Sequence, residues 1–162
     1  MCKKESVMDW INELPRLILG AFGSVGFGII YNINKKYLPA IWLGGFIAWL
    51  AYVVSLSVMT SMFMQALVSG FIVAVYAEIM ARAYKAPSTI FFVASAIPLV
   101  PGKPLYECMN AIAEKNMSFA LSKGIETVLF AIGIAGGMGI AWCICDSLRK
   151  IRRAGREKID ET

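Results

Sequence analysis

The chain has 162 residues, of which 58% are hydrophobic and only 17% are charged. A soluble domain of this size carries more charge and fewer apolar residues, so the composition indicates an integral membrane protein. The chain contains no histidine, which excludes a Ser-His-Asp triad and histidine-based metal sites.

The formal net charge is +5, and most of the basic excess lies in the last residues of the chain. A basic tail directly after an apolar segment is typical of a cytoplasmic anchor, not of nucleic-acid binding. We therefore expect three regions: a polar N-terminal segment (1–16), a transmembrane helical domain (17–145) and a basic cytoplasmic tail (146–162).

Apolar residues occur in long blocks, and a block of about 20 helical residues crosses a bilayer. Four blocks have about that length, namely 17–33, 39–59, 62–81 and 125–145. A fifth block, 88–100, is too short to cross as an ordinary helix. The sequence predicts an all-α membrane protein of about five hydrophobic helices, the fourth being short and broken at a Pro-Leu-Val-Pro-Gly turn.

The glycines of the first and last blocks are spaced for close helix packing. Gly20, Ser24 and Gly28 are four residues apart, as are Gly133 and Gly137. Small residues at this spacing let helix backbones approach closely in a membrane. We expect tight packing at both ridges, although sliding of a glycine face is an alternative.

Two pairs of opposite charges lie near predicted helix ends. Glu78 and Arg82 are four residues apart, and Lys123 and Glu126 are three apart, so each pair can form an ion pair on one helix. A carboxylate inside a membrane is costly and indicates a functional role. Either pair is therefore structural or contributes to ion coupling, and Glu126 is the better candidate for proton coupling.

The short fourth block is the most informative part of the sequence. Pro98, Pro101 and Pro104 lack amide hydrogens, so the carbonyls of Ala94, Ile97 and Val100 are expected to lose their helical donors. Irregular backbone at membrane depth survives only where protein or water covers it, and broken helices point to binding sites in transporters. The alternative is a proline-rich turn at the membrane surface without a ligand.

Hydroxyl groups and a helix N-terminus accompany this break. The N-terminus near Pro87 is suited to a carboxylate because of its unpaired amides and positive dipole end. The predicted substrate-binding residues are Pro87, Ser88, Thr89, Ser95, Pro98, Pro101, Gly102 and Lys103. The following residues, 103–123, have the spacing of an interfacial helix that acts as a connector or, alternatively, as a lid.

The distribution of Lys and Arg predicts the orientation. With five crossings and a cytoplasmic C-terminus, ten basic residues lie inside and six lie outside. The positive-inside rule then places the N-terminus outside and the C-terminus in the cytoplasm. A five-span unit of this orientation suggests a five-span partner of opposite orientation, as in inverted-repeat transporters.

Three segments together resemble a known family. They are Ala-Glu-Ile-Met-Ala-Arg at 77–82, Lys-Ala-Pro-Ser-Thr-Ile-Phe at 85–91 and Ile-Pro-Leu-Val-Pro-Gly at 97–102. In this combination they resemble the threonine/serine exporter family, and specifically the small membrane subunit of its split form, which is associated with succinate export.

This resemblance implies an exporter of the bacterial inner membrane with about ten spans. The partner would be a second subunit of about five spans that also carries a soluble region, giving a hetero-oligomer or, alternatively, a homo-oligomer. The substrate would be a small carboxylate or a hydroxy amino acid, with no cofactor. The residues carried over from the resemblance are Glu78, Arg82, Pro87, Pro98, Pro101 and Gly102. The dipeptide at 103–104, Lys-Pro, departs from the family pattern and bears on charge preference.

A different class of function also fits the sequence. The chain could be a membrane interaction subunit that stabilises a partner membrane protein without transporting anything itself. A membrane-embedded enzyme is not expected, because no nucleophile–base pair, paired carboxylates or metal set occurs at one predicted depth.

Overall fold

The computed structural model describes the backbone of residues 3–160 and the side-chain surroundings of Pro15, residues 17–148 and Lys150. Every regular element in this range is helical. The six α-helices are α1 (Lys3–Ile30), α2 (Leu38–Val58), α3 (Met62–Tyr84), α4 (Ser88–Ala96), α5 (Gly102–Ala113) and α6 (Met117–Asp160). Two 3-10 turns, Lys35–Tyr37 and Ile97–Leu99, precede α2 and follow α4. The all-α prediction is confirmed.

Three apolar segments are long enough to cross a membrane: Lys35–Val58, Met62–Tyr84 and Met117–Leu148. Ser88–Leu99 and Gly102–Ala113 pass the same test only as a pair, and they are bent by 53° relative to each other. The apolar part of α1, Leu17–Ile30, is shorter than a full span. The chain is therefore a multi-pass membrane protein with three or four spans by length and composition, and the predicted count of five stays a prediction.

Prolines and one residue in the left-handed conformation set the start of α2, the end of α3 and the start of α4. Pro39 lies in the first turn of α2, where its missing amide costs nothing. Lys85 ends α3 in the left-handed conformation, with φ of 52°. Pro87 then takes the N-cap position of α4, with extended backbone. The short helix α4 is thus separated from α3 by backbone that cannot continue a helix.

Glycines hold α3 and α6 in backbone contact. A Cβ atom on Gly137 would lie 2.8 Å from the amide nitrogen of Phe71, and one on Gly133 would lie 2.7 Å from the carbonyl oxygen of Phe63. From the opposite side, Gly70 of α3 would meet the carbonyl of Ile134 at 2.9 Å. The predicted close packing at Gly133 and Gly137 is confirmed.

The small-residue ridge of α1 packs in the same way, against α2 and the 3-10 turn after α4. Ser24 lies directly against Gly45 of α2. Gly20 faces Pro98, and a Cβ atom on Gly20 would lie 3.4 Å from the Cβ of Pro98. Gly28 faces Leu38 at 3.1 Å. This predicted ridge is also confirmed, and it brings α1 close to the break after α4.

The core lies where α2, α3 and α4 meet. Ile41, Val73 and Phe91, one from each helix, have no exposed surface. The Tyr76 hydroxyl on α3 donates to the carbonyl oxygen of Ala40 on α2 at 2.7 Å. Helix α4 is therefore enclosed by α2 and α3 despite its length of only nine residues.

Candidate functional site

The backbone between α4 and α5 forms two successive tight turns. The amide of Val100 donates to the carbonyl of Ile97 at 3.1 Å, and the amide of Gly102 donates to the carbonyl of Val100 at 2.7 Å. The second bond spans Pro101 with φ of −76° and ψ of 63°, an inverse γ-turn.

These bonds correct the sequence expectation for two of the three carbonyls. The carbonyls of Ile97 and Val100 were expected to be left without donors, and that expectation is wrong, because backbone amides three and two residues later donate to them. The tight turns supply amide donors in place of the helical donors that the prolines remove. Unpaired peptide oxygens at Ile97 and Val100 are therefore no basis for a binding site here.

A cavity of about 340 Å³ lies beside this break. Its walls come from four parts of the chain: Trp49, Tyr52 and Leu56 of α2, Met62 of α3, the turn 98–104, and Phe130 of α6. The cavity thus brings together four of the predicted site residues, Pro98, Pro101, Gly102 and Lys103. Their position on a bent backbone between two helices makes them one wall of the cavity.

An aromatic cluster forms the opposite wall. The ring centroids of Trp49 and Tyr52 are 5.6 Å apart, and the ring of Phe130 stands edge-on to Tyr52 at 5.6 Å. The site residues predicted from the sequence do not include Trp49. Trp49 and Tyr52 are three residues apart on α2, and this spacing could have indicated that their rings lie close together. The position of Phe130 beside them depends on how α6 packs against α2, which the sequence pattern does not give.

The charged group at this cavity is the ammonium of Lys103. Its side chain is 87% exposed, and the nitrogen lies 3.9 Å from a carboxylate oxygen of Glu107 one turn further along α5. None of the described residues that line the cavity carries a carboxylate. The electrostatics of the cavity therefore favour an anionic group near Lys103.

Ser88 and Thr89 lie at the other end of α4, in a different cavity. This second cavity, of about 310 Å³, is lined by Glu78 of α3, by Ser88 and Thr89, and by Trp142, Cys145 and Asp146 of α6. Ser88 and Pro98 are ten residues apart, a rise of about 15 Å along helical backbone. The structure thus divides the predicted substrate-binding residues between the two ends of α4, with Ser95 buried between them.

The predicted ion pair between Glu78 and Arg82 is confirmed. The guanidinium of Arg82 lies 3.3 Å from a carboxylate oxygen of Glu78. Only 6% of the Glu78 side chain is exposed, whereas 47% of the Arg82 side chain is exposed. The carboxylate is therefore inside the bundle, and its partner reaches out toward the surface.

The predicted pair between Lys123 and Glu126 is confirmed too, with 2.9 Å between the charged atoms. Lys123 also lies 3.4 Å from Glu107, sixteen residues earlier in the chain and on α5. Glu126 is thus part of a charged group that joins α5 to α6, and it does not line either cavity described above. Within the described residues, no group of three or more potential ligands could hold a metal ion.

A family comparison identifies the kind of protein. The sequence model of the threonine/serine exporter family, ThrE, matches residues 16–144, which is most of the chain. The chain belongs to this family. No curated protein and no solved structure gives a significant match to it.

As a member of the threonine/serine exporter family, the chain is an exporter-type membrane transport protein. The matched range contains the whole cavity at the break, from Trp49 to Phe130, together with Glu78 and Glu126. Asp146 and Cys145, which line the second cavity, lie just beyond that range. The candidate site residues identified from the sequence, from Glu78 to Glu126, therefore all lie within the range that matches the family.

Proposed function

We propose that the chain is one subunit of a secondary transporter that exports small carboxylates or hydroxy amino acids across the bacterial inner membrane. Threonine, serine and succinate are the candidate substrates. The partner is a second membrane subunit of about five spans with a soluble region. Membership of the exporter family supports transport. The split form rests on the resemblance of residues 77–102 to the small subunit.

The observation that carries this proposal is the cavity beside the break between α4 and α5. Its volume of about 340 Å³ lies at the small end of the ligand pockets of proteins, which range from about 300 to 1,000 Å³. A substrate with a few carbon atoms suits such a space. Transporters commonly bind substrate where helices are interrupted, so Pro98, Pro101 and Gly102 form the substrate wall in this proposal.

The charge at the cavity supports a carboxylate as the group recognised. Lys103 supplies the cation at the mouth, and the aromatic rings of Trp49 and Tyr52 enclose the apolar part of the substrate. The exposure of Lys103 means that it attracts the substrate more than it holds it.

The orientation proposed from the distribution of Lys and Arg determines on which side of the membrane each cavity opens. With the N-terminus outside and the C-terminus in the cytoplasm, the cavity at the break opens outward and the cavity at Glu78 opens inward. Five crossings require the apolar part of α1 and the bent pair α4–α5 each to cross. Glu78 and Glu126 are then the carboxylates available for coupling to an ion gradient.

Reconstitution tests this proposal. Proteoliposomes containing this chain alone, the partner alone, or both would be loaded with labelled succinate, threonine or serine. We expect efflux of at least one of these acids with both subunits and none with either alone. Efflux with this chain alone would contradict the two-subunit proposal, and no efflux of any of the three acids would contradict the proposed substrates.

Single substitutions at the break separate transport from the alternative role as an interaction subunit. Pro98→Ala and Pro101→Ala should reduce flux while the complex with the partner stays intact. Gly136→Ala is the matched control, because a Cβ at Gly136 meets no atom within 4 Å and Gly136 lines neither cavity. Loss of the complex in both proline variants would instead favour a subunit that only stabilises its partner.

A further inference from the structure

Ser95 differs from the other buried serines in the described part of the chain. The hydroxyls of Ser24, Ser55 and Ser69 each donate to the carbonyl four residues earlier, at 3.3, 2.7 and 2.7 Å. Ser95 has no exposed surface, and its hydroxyl has no hydrogen-bond partner among the described residues. A buried hydroxyl without a partner is costly, so the packing around Ser95 must hold it there.

The packing that holds Ser95 is a notch in α2. The Ser95 side chain occupies the space in which a side chain of Gly44 would begin, and a ring carbon of Tyr76 lies 2.9 Å from the same point. Helices α2 and α4 therefore touch at a glycine that admits this one hydroxymethyl group. The Ser95 side chain fits the space at Gly44, but its hydroxyl makes no hydrogen bond there.

Helix α4 lies between two interruptions of the backbone. Lys85, with φ of 52°, and Pro87 precede it, and the turns at Val100 and Pro101 follow it with a 53° bend. A short helix between two such interruptions can shift as a rigid unit while the backbone angles change at its ends. Such a shift moves both cavities, because the two ends of the segment line them.

We infer that the contact between Ser95 and Gly44 is a latch that holds α4 against α2 in one of two positions. In the seated position, shown by the structure, Ser95 fills the notch and its hydroxyl is unpaired. In the released position α4 withdraws, and Ser95 donates to its own helix as the other buried serines do. Release carries Pro98 and Leu99 away from the aromatic wall and opens the cavity.

The role of the latch as a gate rests on the proposed transport function, but the two positions of α4 do not. They can therefore be measured without transport. Leu99 is 3% exposed in the seated position, so a cysteine at this residue reports release by its reaction with a maleimide. The reporter Leu99→Cys is placed in the full-length chain after the four native cysteines have been replaced by serine.

Gly44→Ala should raise the rate of maleimide labelling at least tenfold, because its methyl group fills the notch and expels Ser95. Ser95→Ala should lower the rate several-fold, because it removes the unpaired hydroxyl from the seated position. Two glycines serve as controls. Gly136→Ala adds a methyl group in open space. Gly70→Ala forces α3 against the backbone of α6, with 2.9 Å between the new carbon and the carbonyl oxygen of Ile134.

A second measurement avoids the buried reporter. Val93 on α4 and Val54 on α2 are both 45% exposed, so spin labels there leave the core intact. Gly44→Ala should shift the distance between these labels or add a second population, and Gly136→Ala should not. The inference is overturned if Gly44→Ala changes neither labelling nor distance, or if Gly70→Ala changes them as much. Flux in proteoliposomes is a separate readout, so its absence would count against the proposed function alone.

Discussion

Lys103 carries a full charge at the edge of a cavity whose walls are largely apolar and aromatic. Its side chain is 87% exposed, and its contact with Glu107, at 3.9 Å, is at the limit of an ion pair. Water and salt screen such a charge strongly, so its contribution to binding a carboxylate is small.

Replacement of Lys103 by Gln should therefore raise the KM for a carboxylate substrate by about two- to fivefold, within the range of about 1 kcal/mol typical of exposed ion pairs. The kcat should change little. Lys115→Gln is the matched control, since Lys115 lies beyond the C-terminal end of α5. The measurement is the initial rate of efflux against substrate concentration at low and high salt. An equal effect in both variants would mean that Lys103 acts through general surface charge.

Glu126 can be tested for proton coupling with little effect on the fold. If Glu126 becomes Gln, Lys123 keeps its contact with Glu107 at 3.4 Å, so the stability should fall by less than about 1 kcal/mol. A change in the pH dependence of efflux can then be ascribed to the lost carboxylate. Unchanged pH dependence in Glu126→Gln would remove this residue from the coupling mechanism and leave Glu78 as the candidate.

At the scale of the helices, proline positions agree with where α4 and α5 begin, since Pro87 and Pro101 are their N-cap residues. Pro87 and Pro101 flank the short helix because a proline cannot supply the amide that continues a helix. The ion pair of Glu78 with Arg82 was also predictable, because residues four apart lie on one face of a helix and opposite charges there can pair.

The partners that join different helices were not predictable. The contact of Lys123 with Glu107 and the edge-on packing of Phe130 against Tyr52 depend on how each helix is rotated about its axis. Apolar blocks that are hydrophobic all round carry no such information. The paired carbonyl oxygens at the break were missed for a local reason, since a 3-10 turn and a γ-turn supply amides that a helical pattern does not.

The two faces of α6 provide a matched test of helix packing. Gly137→Ala should destabilise the contact with α3 by about 1–3 kcal/mol, because the new methyl group meets the backbone of Leu67 and Phe71. Gly136→Ala should leave the stability unchanged or raise it by up to about 1 kcal/mol, since no atom lies within 4 Å of the added carbon and alanine is the better helix former. Thermal unfolding in detergent, followed by loss of the monodisperse peak, compares the two. Equal melting temperatures would show that α3 and α6 can move apart to admit the methyl group without loss of stability.

At the scale of the whole molecule, the number of crossings decides where the two termini lie. If the apolar part of α1 crosses the membrane in addition to α2, α3, α6 and the bent pair, the termini lie on opposite sides. If α1 lies along the surface, four crossings place both termini on the same side. Sequence and structure differ on this point, because Leu17–Ile30 is shorter than a full span and continues into a helix that begins at Lys3.

We expect opposite sides, with the N-terminus outside. Alkaline phosphatase fused to the N-terminus should be active, and a green fluorescent protein fused to the C-terminus should fluoresce, because each folds on one side only. Exchange of the two reporters is the control and should silence both. Fluorescence of the green protein at both ends would mean an even number of crossings and would remove the argument for an inverted partner.

The glycines of α6 also have a consequence for natural variation. Gly133 and Gly137 touch the backbone of α3, whereas Gly136 and Gly139 face open space. Related exporters that keep this helix pair should retain the first two glycines. At the other two positions, alanine, leucine or valine should replace glycine freely, unless a neighbouring subunit rests there. Substitution frequencies at these four glycine positions would thus reveal, without any biochemistry, whether the two positions away from α3 meet lipid or protein.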